Sequence, residues 1–568
     1  MKSRIFYKPE KLNSTRELLS RSSSKYSEHI AFKEIGPNKQ ILEYSYKNLQ
    51  EDVDAFGASL IEMGMKGYHF AILGENSYLW VVSYLAIIQG IGVAVPLDKE
   101  LSEEDLFHLI KKSNTDAIIC SKTYASIAQK CIDNNLKVKQ IIVMNSEDHA
   151  DFLSMKKLIQ KGKEFIKDGD VDYTNTPIDV ENMCEIIFTS GTTGPNKGVM
   201  LSQKNLMTVL YGSMTVIKAE GVSLSVLPIH HTYECSCHIL GGLYSGITIC
   251  FIDSLKRVVE SMNLFKPNMS IMVPMFLEAI YNSIWRESKR QGLEKHLQYG
   301  VWFSNLIRKI RIDRRRKYFA PVLNRFGGNL QQIVCGGAPL SYEVVKGLTD
   351  LGIDILNGYG ITECAPLVAC NHLKWRKPGS LGRVMSNCKV RINNPDSQGK
   401  GEIQVKGDNV MLGYYDDPES TERSFTEDGW FKTGDLGYLD KDNFLYINGR
   451  EKNLIILSNG KNVHPEELEE IIRRKLVYVK EVVVYSASSS DVGGECIAAC
   501  VCPEEEYLHS MGIDEFKAQL NKDFKSLNRS LPAYKQINRI MFSEYEFEKT
   551  TSKKIKRNSI AERSYQSA

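Results

Sequence analysis

The thirteen cysteines include no Cys-x-x-Cys pair, and their number is odd. That excludes a fully paired disulfide framework and the usual zinc-ribbon spacing. The cysteines read instead as small buried hydrophobes in a reducing compartment. The eleven histidines are dispersed, with His230-His231 the one adjacent pair, so no zinc site is expected. An excess of either charge is also missing: 72 Lys and Arg stand against 69 Asp and Glu, a net of +3. Such a balance gives no global argument for nucleic acid or for an anionic membrane. The opening stretch MKSRIFYKPEKLNS has no apolar core, so no signal peptide is predicted. Neither internal repeats nor low-complexity tracts occur.

One long uncharged run exists, between Glu75 and Asp98. A membrane span needs about 20 apolar residues, but Gly90, Gly92 and Pro96 interrupt this one. The run is predicted to be a buried helix Leu79–Ile88, a turn Gln89–Gly92 and a strand Val93–Val95.

At 568 residues, 42% apolar and 25% charged, the chain has the composition of a globular protein and the length of about two to four domains. Apolar runs of strand length (Phe70–Leu73, Ala117–Cys120, Gln140–Val143, Glu185–Phe188, Ser270–Val273, Gln332–Cys335) alternate with amphipathic segments such as Glu103–Ser113 and Tyr342–Leu351. That alternation predicts an α/β fold with largely parallel sheets. Past Lys389 short strands with Gly, Asn and Asp turns (Gly401–Lys406, Gly437–Tyr438, Phe444–Ile447) predict a small β-rich module at about 389–450. A further change of texture near Gly449–Lys452 opens an α+β unit, 451–568. Its expected helices are Pro465–Leu476 and Ile513–Leu527, and its strands Val482–Tyr485 and Ile497–Val501. The expected organisation is therefore a large N-terminal domain, 1–450, of layered α/β subdomains plus the β-rich module, followed by a smaller C-terminal domain.

The strongest local signal is TSGTTGPNKG, Thr189 to Gly198. Four hydroxyls, three glycines and a lysine follow an apolar strand. Glycines let backbone N–H groups approach an anion, hydroxyls donate hydrogen bonds, and Lys197 adds charge. The loop is neither a Walker A sequence nor a dinucleotide fingerprint. By composition alone a solvated Ser/Gly loop would look the same. Four more motifs follow: GGAPL (Gly336 to Leu340), NGYGITE (Asn357 to Glu363), KTGDLGYLD running into INGREKNLI (Lys432 to Ile455), and EKTTSKKIKR (Glu548 to Arg557).

The segment IIFTSGTTGPNKGVMLS resembles the signature of the AMP-forming acyl-CoA synthetases, within the adenylate-forming superfamily, and the other motifs follow in that family's order from about Tyr26 to Arg557. The resemblance implies ATP and AMP binding by Thr189, Ser190, Gly191, Thr192, Thr193, Gly194 and Lys197, with Thr193 among the catalytic groups. It implies that Gly337, Ala338, Pro339, Gly358 and Gly360 lie along the adenine, that Tyr359 stacks on it, and that Thr362 bonds the phosphate. Glu363 would help hold Mg²⁺, which as a hard cation takes carboxylate oxygen. Asp435 would accept from both ribose hydroxyls, with Arg450 near the ribose and phosphate. Lys452 matches the hinge of a mobile C-terminal domain, and Lys554 the catalytic lysine. Glu548 and Lys553 depart from the proline and glycine usual there; a solvated basic tail is the plain alternative for that run.

VLPIHHTYE, Val226 to Glu234, and FKPNMSIMVPMFLEAIYNSI, Phe265 to Ile284, resemble the acyl-pocket region of long-chain members. His231 falls at their gate position, where a satisfied core histidine is the alternative. Between Trp285 and Gly328 lies an insert with the basic run IRKIRIDRRRK, Ile307 to Lys317. It suits an anionic membrane surface, the phosphates of coenzyme A, or a solvated helix face. The implied reaction is ATP-dependent activation of a medium- or long-chain acid to acyl-AMP, then a thioester with coenzyme A. Transfer to an acyl carrier protein, arrest at acyl-AMP, a nucleotide-binding scaffold without catalysis, and a membrane-bound transporter-synthetase, against which the broken run Leu79–Leu97 argues, are the rivals. The expected partners are small molecules and no nucleic acid. The expected location is cytoplasmic, with membrane contact no closer than peripheral attachment at the inner face.

Overall fold

Fully buried strands need apolar residues on both faces, and the centre of the fold is built from such strands. The computed structural model describes residues 6–146, 152–169, 173–189, 196–457, 462–489, 494–549, 555–557 and 560. The chain divides into two compact units. One takes the residues up to 189, 196–389 and 405–431; the other takes 390–404 and the chain from 432 onward.

The first unit holds two large sheets. In one, the strands run Arg383–Val384, Leu367–Cys370, Asp354–Gly360, Gln332–Cys335, Met269–Met272, Val222–Ser225, Thr248–Phe251, Ile30–Ile35, Ile41–Ser45. The middle pairings are parallel and the outermost ones antiparallel. The other sheet is antiparallel at one edge and parallel at the other. Its parallel strands include His69–Leu73, Val93–Leu97, Ala117–Cys120 and Gln140–Val143, and the antiparallel pair Met183–Thr189 and Lys197–Ser202 lies toward one edge. The sheets are thus mixed, parallel at the centre where helices cover both faces. All residues of Ala117–Cys120 and Met269–Met272 are buried.

The uncharged run folds nearly as expected. A helix Tyr78–Ala86, capped by the Ser77 side chain, passes into a π-type turn Ile87–Ile91. Gly90 there takes φ +104°, a conformation open to glycine. The strand that follows runs to Leu97, through Pro96 rather than stopping before it. Its register with Met183–Thr189 is set at Ala94, opposite Glu185, so the missing N–H of Pro96 does not disturb that pairing. Among the described residues no helix is long and apolar enough to cross a membrane.

The basic run of the insert is not one helix face. The helix Glu294–Arg308 ends inside it, and a short helix Arg315–Tyr318 follows. Arg315 is buried, donating to the Thr349 carbonyl at 2.5 Å and pairing with Asp313 at 2.7 Å. Arg316 donates to the carbonyls of Leu330 and Gly328, each at 2.6 Å. These two cations tie the insert to the fold.

The second unit contains most of a four-stranded sheet, ordered Cys388–Asn393, Gly401–Gly407, Phe431–Leu439, Leu445–Arg450, with the last two strands antiparallel. It also contains the α+β arrangement Pro465–Lys475, Val479–Ser489, Gly494–Pro503, Ile513–Arg529, Arg539–Phe542. Leu468, Ile472, Val482, Val484, Phe516, Leu520 and Phe524 share its core.

Candidate active site

The strands flanking the phosphate loop pair in antiparallel register, Thr189 opposite Lys197. Residues 190–195, among them Ser190, Gly191, Thr192, Thr193 and Gly194, lie outside the described residues. At the loop's exit the Lys197 Nζ sits 4.6 Å from the centre of the Tyr414 ring, a cation–π approach. The Tyr414 hydroxyl donates to Glu363 Oε1 at 3.0 Å. Lys197, Tyr414 and Glu363 therefore form one polar cluster from three distant stretches of chain. Tyr414 arrives there because Gly413–Tyr414 pairs with Met200 and Val199, on the strand that begins with Lys197. Glu363 is held from behind as well, its carbonyl accepting from the Met411 N–H at 2.8 Å. Burial, and then the Glu363 charge, push the Tyr414 phenol well above its ordinary pKa, so it stays a donor at working pH.

Sequence reasoning passed over Tyr414. The signal was the run GYYDDP after a β-rich turn, in which nothing but tertiary pairing distinguishes Tyr414 from its neighbour. Removing the hydroxyl leaves Glu363 with one donor fewer. Tyr414→Phe is expected to weaken any function that depends on Glu363 by about tenfold to a hundredfold, one neutral-to-charged hydrogen bond. Steady-state rates against Mg²⁺ and ATP concentration check this, and unchanged kinetics would show that the contact is idle.

Two further motifs meet at the carboxyl ends of neighbouring parallel strands, where open α/β sheets usually place ligands. Gln332–Cys335 runs into Gly336 and Asp354–Gly360 carries Tyr359, with Cys335 in register opposite Asn357. Gly337, Ala338 and Pro339 are exposed, and Gly337 has φ +89°. Gly358 and Tyr359 are buried, and Thr362 opens a short turn Thr362–Cys364. Gly360 admits no side chain, because a Cβ there would lie 2.1 Å from the Pro366 carbonyl oxygen. On the same sheet, Val222–Ser225 leads to His231, whose Nδ1 accepts from the Tyr233 N–H at 3.1 Å. The π-type helix Tyr233–Leu240 follows. A wholly buried set fixes it: Ser223 Oγ lies 2.6 Å from His238 Nε2, and His238 Nδ1 lies 2.8 Å from Glu234 Oε1. This set is closed to solvent and ties the strand Val222–Ser225 to the helix that follows His231.

On the strand Met183–Thr189, Glu185 is buried, with Oε2 accepting from the Tyr84 hydroxyl at 2.7 Å. Burial pushes its carboxyl pKa from 4.5 up to about 7, with the Tyr84 hydrogen bond pulling the other way. Between those two values the folded chain keeps a proton that the unfolded chain has lost. Stability therefore falls as pH rises from 4.5 toward 7 and levels off above, a loss on the order of 3 kcal/mol. Glu185→Gln is expected to remove that slope. Urea midpoints at pH 5 and pH 8 test it, and an identical pH dependence in both proteins would refute the assignment.

In the second unit Asp435 and Arg450 stand opposite each other in register. Asp435 is buried, and its carboxylate takes Arg450 Nε at 3.0 Å. Lys452 lies in the short turn Glu451–Asn453 directly after. Lys554 lies outside the described residues, but the chain on either side of it is tied: Lys549 bridges Ile555, and the Lys556 N–H donates to the Glu548 carbonyl at 2.8 Å. Arg557 pairs with Glu469 at 2.6 Å, and Lys549 pairs with Glu481. The expected residues thus gather as Lys197 with Glu363 in one unit and Asp435 with Arg450 in the other.

The AMP-binding enzyme family matches residues 19–415, and the AMP-binding enzyme C-terminal domain matches 452–568. Fatty acyl-CoA synthetase B of Dictyostelium discoideum is 28% identical over 541 residues, 88% of this chain and 78% of its own length. A long-chain-fatty-acid–[acyl-carrier-protein] ligase of Arabidopsis thaliana, AEE15, is 26% identical over 578 residues, 88% and 77% of the two chains. Among solved structures, the anthranilate CoA ligase AuaEII in complex with anthranoyl-AMP superposes with a TM-score of 0.76 at 18% identity, covering 99% of both chains. That likeness gives the adenylate-forming fold, a large N-terminal and a smaller C-terminal domain. With a family match over most of its length, an intact order of motifs and this fold, the chain belongs to the AMP-binding enzymes.

Proposed function

We propose that the protein activates a carboxylic acid with ATP to give acyl-AMP and pyrophosphate, then passes the acyl group to the thiol of coenzyme A, releasing AMP. The observation that carries this reading is the cluster of Lys197, Tyr414 and Glu363 at the exit of the phosphate loop. A carboxylate is a poor acylating agent because its oxide leaving group is too basic. Its attack on the α-phosphorus brings two anions together, so the protein must supply cations and donors where that charge builds. Lys197 offers a charge, and Thr189 with the loop residues Ser190 to Gly194 offers hydroxyls and backbone N–H groups. Glu363 would hold the Mg²⁺ that accompanies ATP, a hard cation suited to a carboxylate oxygen. When bound, Mg²⁺ supplies charge neutralisation at the phosphates. Tyr414 orients the Glu363 carboxylate, and Thr362 stands beside it for the α-phosphate. Gly337, Ala338, Pro339, Gly358, Tyr359 and Gly360 form the adenine wall. Asp435 accepts from the ribose hydroxyls while Arg450 holds it in place.

Lys554 serves the first half-reaction, and a pivot at Lys452 (where the C-terminal family match begins) withdraws it for the second. The acid is a medium- or long-chain fatty acid entering past His231; the names of the relatives support a fatty acid as the substrate class. The reaction is assigned to the cytoplasm. The Arabidopsis relative favours one alternative acceptor, the thiol of an acyl carrier protein.

The test is purified protein with ATP, Mg²⁺ and acids from acetate to palmitate together with aryl acids, each with coenzyme A, with acyl carrier protein, or with neither. AMP release that needs both a long acid and coenzyme A is expected. Turnover with the carrier protein alone would reassign the acceptor, and turnover with acetate or aryl acids alone would reassign the substrate.

A further inference from the structure

The helix Glu294–Arg308 buries a single residue, Ser304. The helix before it, Pro274–Arg290, instead buries Leu277, Ile280 and Ile284 along one stripe. The exposed residues from Tyr299 to the end of Glu294–Arg308 are apolar. Tyr299 (66% exposed), Trp302 (58%), Phe303 and Leu306 recur at i, i+3, i+4 and i+7, and Ile310 (68%) lies one turn further. That spacing places them along one side. Their rings abut: Tyr299 and Trp302 lie 5.5 Å apart, and Phe303 lies 6.3 Å from the exposed Tyr318 of the next helix. The result is a continuous apolar surface, which on a folded chain marks an interaction site.

Within the stretch itself the exposed charges are mostly cations. Lys295, Lys309, Arg311, Arg314 and Lys317 are all exposed. The carboxylates from 294 to 318 are Glu294 and Asp313, and Asp313 is engaged by Arg315. With Arg315 and Arg316 turned onto the fold, the cations left outside edge the aromatic face. A protein partner of mixed charge would be met by mixed charge; this rim complements a uniformly negative surface.

We infer that this face docks on the surface of a bilayer containing anionic lipid. The aromatic rings sit at headgroup level, Leu306 and Ile310 reach the acyl boundary, and the five cations meet lipid phosphates. The inference stands on exposed residues of the insert and does not depend on the proposed reaction.

The full chain is sedimented with phosphatidylcholine vesicles and with vesicles carrying about one-quarter phosphatidylserine. Binding to the anionic vesicles is expected to be about tenfold or more tighter than to the neutral ones, and to fall as salt screens it. Two double variants probe the parts: Trp302→Ser with Leu306→Ser, and Lys309→Glu with Arg311→Glu. Each is expected to weaken anionic-vesicle binding about tenfold or more, with unchanged thermal melting because all four side chains are exposed. Absence of vesicle binding by the wild type, or binding by the two variants as tight as that of the wild type, would overturn the inference. So would a wild-type dimer in sedimentation equilibrium that the Trp302→Ser, Leu306→Ser variant returns to monomer without any lipid binding; the face would then belong to a second copy of the chain.

Discussion

Replacing Lys554 with alanine is expected to slow acyl-adenylate formation by roughly 10²–10³-fold, the usual cost of one charge-stabilising group. Thioester formation from preformed acyl-adenylate should stay near the wild-type rate. The split follows from chemistry. Charge builds at the α-phosphorus only in the first half-reaction; in the second, AMP departs from an already activated carbonyl. The segment is anchored for such a task. Lys549 pairs with both Glu481 and Glu546, and the latter's carboxyl is held down to about 2 by its Lys480 and Lys549 partners. Arg557 is clasped by Glu469. The two half-reactions are measured separately, by acid-dependent pyrophosphate release and by thioester yield from synthetic adenylate. Equal losses in both would remove Lys554 from a specific role in adenylation.

Asp435→Ala is expected to raise the KM for ATP about tenfold to a hundredfold, the worth of hydrogen bonds to a charged acceptor. Protein stability should change little. Asp435 is buried, but the Arg450 side chain that pairs with it is 39% exposed. Arg450 can therefore turn to water when its partner is lost, and a part-exposed pair contributes little to folding. Asp435→Asn keeps the shape and one acceptor, so it should fall between wild type and Asp435→Ala. ATP affinity by calorimetry alongside thermal melting separates the readings. Unchanged affinity with a large fall in melting temperature would make the pair structural.

The parts of the fold legible in the sequence are those where local pattern and tertiary burial agree. Ala117–Cys120, Gln140–Val143 and Gln332–Cys335 fall at their expected bounds, because each is an apolar, buried run that starts at or directly after a polar residue (Asp116, Gln140 and Gln332). The helix Glu103–Lys112 is equally plain, with Ser102 capping it, acids in its first turn and lysines in its last. The antiparallel edges of the sheets were not legible, since strand direction depends on partners far along the chain. The same limit hid Tyr414, which reaches Glu363 and Lys197 only through a two-residue strand pairing with Val199 and Met200. It also hid the inward turn of Arg315 and Arg316, which in sequence belong to an undivided basic run. Asp435 and Arg450 were each marked by their motifs, but that they face one another follows from the strand register.

The measurement closest to the central claim is ATP–pyrophosphate exchange in the absence of coenzyme A, run with and without a long-chain fatty acid. Exchange that requires the acid, and that Glu363→Gln and Lys554→Ala both suppress, is the expected result, because only reversible formation of acyl-AMP returns labelled pyrophosphate to ATP. ATP binding without acid-dependent exchange across the whole range of acids would contradict acid activation and leave a nucleotide-binding protein on an adenylating fold.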